Sequence, residues 1–120
     1  MTRGRLPVRA QLVADPIAGK RGLVQHYRYE PGAVFSFTIF GKIADVQVRM
    51  KCVRRLGCTI PELEREYAEM LAAIRRTASG PGILREFWIC SPRYAMRFFR
   101  VLDDGLVELD RDGTVPGTGA

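Results

Sequence analysis

Between Ala44 and Lys51 the chain alternates strictly. Ala44, Val46, Val48 and Met50 are apolar, and Asp45, Gln47, Arg49 and Lys51 between them are polar or charged. Successive side chains on a strand point to opposite faces, so the segment reads as a half-buried strand with a row of polar groups on one side. Its flanks extend the pattern. Residues 33–40, AVFSFTIF, form a second strand, with Phe35, Phe37 and Ile39 on one face. Gly41-Lys42 reads as a two-residue type II′ turn joining the two into a hairpin, because glycine suits its first central position.

Upstream, residues 11–14 (QLVA) read as a short strand stopped at Asp15-Pro16, and 23–29 (LVQHYRY) as another. Downstream, Thr59-Ile60-Pro61-Glu62 has the form of a capping box. Ile60, Leu63, Tyr67, Leu71 and Ile74 continue from it as one apolar stripe, which predicts a single helix over about 60–77. Strands follow at 84–90, 94–102 and 106–110, the last two joined by Asp103-Asp104-Gly105. The expected fold is α+β: a mixed sheet with a β-hairpin, one long helix packed on one face, then a β-meander. Its expected extent is a single domain over 11–113, with a flexible basic arm at 1–10 and a frayed tail at 114–120.

A chain of 120 residues that is 47% hydrophobic can bury one core without disulfides or a structural metal. Three cysteines, Cys52, Cys58 and Cys90, cannot all pair. The odd count and the lack of an apolar segment behind Arg3 and Arg5 place the expected setting inside the cell, in the cytoplasm. No stretch reaches the roughly 20 apolar residues of a membrane span.

The charge is uneven. Of the net +6, residues 1–55 carry 11 Lys/Arg against 3 Asp/Glu, and residues 56–120 carry 8 against 10. A basic half suits a polyanion, so DNA or RNA is the expected partner.

Most site chemistries fail on inspection. There is no glycine-rich phosphate loop. His26 is the only histidine, and nothing places it beside a thiol to activate a nucleophile. Cys52 and Cys58 fall short of the four ligands of a zinc site, and the aspartates of 110–113 (DRDG) fall short of a calcium loop. No metal site and no resident cofactor is expected from the residues alone.

The order hairpin, polar strand, helix, strand over 33–101 resembles the core of the PD-(D/E)XK nuclease superfamily, which includes Holliday-junction resolvases and virus-type replication-repair nucleases. In that family the polar strand bears an acidic-x-Lys motif. The resemblance implies Gln47 at the acidic position, Arg49 at the lysine position and Glu30 as the upstream acid, with Mg or Mn as the cation of an active member. Arginine cannot serve as the base that lysine provides, although it can hold a phosphate. The family also has an N-terminal helix with an acidic residue, which this sequence does not display. A degenerate restriction-endonuclease-like domain is therefore expected ahead of an active metal-dependent nuclease.

Read as a nucleic-acid binder, the chain offers Arg49, Lys51, Arg54 and Arg55, with Lys20 and Arg21 in an earlier loop. Arg93 and Arg97 add to these within RYAMRFFR, where arginines interleave with aromatics. The alternative is a non-catalytic assembly or protein-interaction module, including a homo-oligomer, in which an open strand edge or the Asp/Glu cluster of 103–112 meets a neighbour.

Overall fold

The computed structural model describes residues 8–28 and 32–117. Helix α1 spans Val8–Gly19. It is followed by strands β1 (Leu23–His26), β2 (Phe37–Phe40) and β3 (Asp45–Cys52), helices α2 (Ile60–Glu66) and α3 (Ala68–Arg75), and strands β4 (Ile83–Cys90), β5 (Met96–Leu102) and β6 (Gly105–Leu109). The six strands form one sheet in sequential order. Every neighbouring pair is antiparallel except β3 and β4, which run parallel across the α2–α3 crossover. The fold is α+β with a mixed sheet, as the sequence predicts.

The alternation in β3 does what it implies. Val46, Val48 and Met50 are buried on one face, whereas Asp45, Gln47, Arg49 and Lys51 are half-buried on the other. The first face packs against α1. Ala10, Ala14 and Ala18 recur every fourth residue, so the helix presents a flat stripe of small side chains. That flatness lets α1 lie close over a cluster of aromatic rings. Trp88 meets Phe37 edge-on at 5.3 Å and Phe98 at 4.8 Å. On the opposite face, Leu63, Leu71 and Ile74 of α2 and α3 cover Phe87, Ile89, Phe99, Val101 and Leu106.

Several sequence expectations are corrected. Residues 11–14 are not a strand, and residues 8–10 are not part of an arm: both belong to α1. Pro16 sits inside this helix rather than ending it. The helix forgoes one backbone bond there, and the alanine stripe holds it to the sheet. Gly41-Lys42 is not a type II′ turn. Residues 41–44 form a four-residue loop closed by Gly41 N–H to the Ala44 carbonyl at 3.2 Å, and Gly41 does not have positive φ. Glycine is needed there for space, since a Cβ would lie 2.6 Å from the Ala44 oxygen. The predicted single helix is interrupted at Tyr67, whose backbone (φ −110°, ψ 30°) departs from helical values. The Tyr67 ring turns onto Phe87 at 5.5 Å. The sheet is covered on both faces, not one. Beyond Gly113 the chain is not frayed through 115: Asp110 N–H donates to the Thr114 carbonyl at 2.8 Å, and Val115 packs on the α1-side core.

Two adjacent residues of β4 lock the layers together. Arg85 and Glu86 are both buried, pointing to opposite faces. Arg85 donates to the carbonyls of Ile74, Arg75 and Thr77 at 3.0–3.4 Å, satisfying the open end of α3, and also reaches the Val101 carbonyl and Asp103. Glu86 takes a two-pronged bond from Arg21 at 2.8 and 2.7 Å and accepts from Trp88 Nε1 at 2.9 Å. Gly113, at φ +90°, passes so near the Arg21 guanidinium that a Cβ there would lie 2.4 Å from it.

Truncating Arg21 to alanine leaves a buried carboxylate short of its main counter-charge. The expected loss is about 3–5 kcal/mol in urea unfolding. The apolar pair Arg21→Met with Glu86→Leu is expected to lose less than Arg21→Ala alone. Gly113→Ala is expected to destabilise by about 1 kcal/mol or more, through both φ and crowding.

Candidate nucleic-acid interface

Because β3 and β4 are parallel, the loops that leave them emerge side by side at one end of the sheet. Cys52 stands opposite Cys90 in the register, and Val53 N–H bonds the Cys90 carbonyl at 2.9 Å. The first loop carries Arg54 and Arg55. The second is a tight turn with Arg93 at its tip. Ser91 builds that turn: its hydroxyl accepts from the Arg93 and Ala95 amides at 3.3 and 3.2 Å. Tyr94 completes it in the left-handed region at φ 64°, a conformation that costs about 1 kcal/mol or more outside glycine. Lys51 is the last polar residue of the β3 row. Arg54, Arg55 and Arg93 are exposed, and Lys51 is half-buried. None of the four enters an ion pair among the described residues.

Arg97 holds the first loop in place. It donates to the Leu56 and Cys58 carbonyls at 2.6 and 2.7 Å and forks onto Glu108 at 2.8 and 2.7 Å. Its guanidinium also lies over the Phe99 ring at 5.0 Å. Arg97, predicted to touch nucleic acid, thus supports the loop that presents Arg54 and Arg55. Between this loop and α2 lies a cleft of about 450 Å³, lined by both arginines together with Cys52, Cys58, Glu62, Glu66 and Tyr67. Glu62 is drawn below the usual carboxylate range by hydrogen bonds from Thr59. Burial raises the Tyr67 phenol, with Glu66 beside it adding to the effect. Burial also raises the Cys52 thiol and pushes Cys90 up to about 11. Both thiols are protonated at neutral pH and are poor nucleophiles.

The other sequence-predicted residues lie elsewhere. Arg21 is held in the buried pair with Glu86. Lys20, at the end of α1, stands at the opposite end of the sheet, beside Leu23 and its partner Phe40. Arg49 donates to the Ala33 and Val34 carbonyls and ties down the segment before β2. Gln47 belongs to a closed triangle: the Tyr27 and Thr38 hydroxyls reach its Oε1 at 2.9 and 2.8 Å and also touch each other. Glu30 falls outside the described residues. Helix α1, which the sequence does not display, carries one acid, Asp15. That carboxylate lies 2.9 Å from His26 on the α1 face, across the sheet from Gln47. Arg28 was missed. It is exposed just beyond β1, at the same end as Lys51, and the only sequence signal was its place after the LVQHY run.

The donors gathered around Gln47 and Arg49 do not fit a hard divalent cation. They are one amide oxygen, two hydroxyls and a guanidinium, and the amide oxygen is already engaged. Among the described residues, no group of three His, Cys, Asp or Glu side chains could hold a metal ion. No described helix is long and apolar enough to cross a membrane. Comparison with family models, curated proteins and solved structures finds no match to this chain.

Two ion pairs depend on pH: Arg97 with Glu108, and Arg75 of α3, which forks onto Glu64 of α2 at 2.9 and 2.8 Å. Hydrogen bonds from Arg97 and Arg75 hold the Glu108 and Glu64 carboxyls below their ordinary range. A lowered carboxyl contributes stability that is present above its unfolded pKa, about 4.3, and lost as pH falls through the folded value. The urea midpoint should therefore fall between neutrality and about pH 3, and Glu108→Gln should flatten that dependence.

Proposed function

We propose that the protein binds nucleic acid through its phosphate backbone, at the end of the sheet where β3 and β4 finish, and does not cut it. The carrying observation is the gathering of four cations without a carboxylate partner at one end of the sheet. Arg21, Arg75, Arg85, Arg97 and Arg100 are committed to carboxylates of the chain itself. Among the cations in no ion pair of the described residues, Lys51, Arg54, Arg55 and Arg93 stand together at one end, with Arg28 nearby, whereas Lys20, Lys42 and Arg76 lie away from it. Cations without internal partners are those able to replace the counterions of a phosphate chain.

The order helix, hairpin, strand, helix, parallel strand supports a degenerate restriction-endonuclease-like core as the scaffold. The residues at the positions the resemblance assigns argue against cleavage. Gln47 is held by two hydroxyls, and Arg49 is a permanent cation that cannot take a proton from water. Mg or Mn therefore has no step in this reading.

Fluorescence anisotropy with labelled single-stranded DNA, duplex DNA and RNA tests it. Binding should weaken steeply with salt. Arg54→Ala with Arg55→Ala should weaken binding to every sequence alike and reduce the salt slope by about 1.4–1.8. Lys20→Ala should leave both unchanged. Absence of binding at low salt, or cutting with added Mn that Gln47→Ala abolishes, would refute the proposal.

A further inference from the structure

The opposite end of the sheet carries a different surface. There the strands present Leu23 (74% exposed), Phe40 (41%) and Ile83 (39%), with Ile43 (94%) at the tip of the β2–β3 loop and Leu102 (40%) entering the β5–β6 turn. The ladder places all of them at one end: Leu23 opposes Phe40, Phe40 opposes Asp45, Asp45 opposes Ile83, and Leu102 closes on Gly105. Leu23, Phe40 and Ile83 share the α2–α3 face, with Asp45 between Phe40 and Ile83, and Leu102 lies on the α1 face. With Ile43 they gather more exposed apolar surface at one end than scattered single side chains would.

Charge on this end is divided. Lys20 and Lys42 are exposed on the β1–β3 side, beside half-buried Asp45, and Asp103 and Asp104 are exposed on the β5–β6 side, where Arg85 already holds Asp103 and leaves Asp104 open. The β2–β3 loop and the β5–β6 turn lie equally far from β4 in the strand order, on either side of it. With strands about 4.8 Å apart, each is about 7 Å from the start of β4. A two-fold axis through that point would lay the Lys42 loop of one copy over the Asp103-Asp104 turn of the other, twice. It would also bring the two Ile83 side chains together. In charge, this arrangement is complementary to itself, as a closed dimer requires.

We infer that this end is the interface of a two-fold homodimer, with Ile83 at the axis, Ile43 buried against the partner, and Lys42 paired with Asp104 of the second copy. The inference stands apart from the nucleic-acid reading, because it uses the other end of the sheet. A dimer built this way turns its two basic ends outward.

Sedimentation equilibrium on the intact chain, from micromolar to millimolar concentration, reads the result directly. The mass should rise from 13.5 kDa toward twice that value. Ile43→Asp should weaken association roughly tenfold or more. Lys42→Asp and Asp104→Lys should each weaken it, and the two together should restore it, because every cross-interface pair is then reversed and attractive again. The substituted positions are exposed, so thermal midpoints near the parent's would show that the monomer fold survives. Ile83→Cys, at the axis, should cross-link two chains on mild oxidation and supplies a readout that does not depend on the charge variants. A mass that stays at 13.5 kDa at millimolar concentration overturns the inference. So does a dimer unaffected by Ile43→Asp, or a double reversal no better than the single ones.

Discussion

The pair Arg85-Glu86 at the centre of the sheet is the constraint on which the rest depends. Two adjacent buried charges on a strand must point to opposite faces, and each must find a partner there. Arg85 finds the open carbonyl end of α3, and so fixes how the crossover returns to β4. Glu86 finds Arg21, just past α1, and so fixes how the first helix leads into β1. An apolar pair could fill the same volume, but it would not specify which helix end docks where.

That commitment decides which cations remain for other work. Arginine suits internal use, since its rigid fork satisfies carboxylates and several carbonyls at once. Arg85 and Arg97 both serve in this way, and Arg97 spans the loop from Leu56 to Cys58 to Glu108 on β6. The basic character of the chain is thus partly structural. Of the cations without such a partner, Lys51, Arg54, Arg55 and Arg93 gather where the parallel strands end, because parallel neighbours release their loops on the same side, while Lys20 and Lys42 are exposed at the other end.

The sequence displayed the sheet far better than the helices or the site. Alternation in 44–51 and the apolar runs of 84–90 and 94–102 marked the strands, because burial on a pleated surface writes a period of two. Thr59 to Glu62 marked the start of α2 for an equally local reason, and both halves of the capping box are formed. Helix α1 was illegible because its buried face is three alanines, which carry little hydrophobic signal, and because Pro16 reads as a stop. The break at Tyr67 arises from packing against Phe87, a tertiary contact with no local trace. For the site, Lys51, Arg54, Arg55 and Arg93 could be named from charge alone. No local pattern could show that Arg21 and Arg97 would be taken up by Glu86 and Glu108, residues 65 and 11 positions away.

We propose the exposed cations at the end of β3 and β4 as the nucleic-acid surface. Mapping backbone amide shifts by NMR during titration with a short single-stranded oligonucleotide tests it most directly. Salt-sensitive shifts are expected to concentrate in residues 51–58 and 91–94, with residues 20–23 and 40–45 still. Shifts concentrated at the Lys20 and Lys42 end, or spread evenly over the surface, would contradict it.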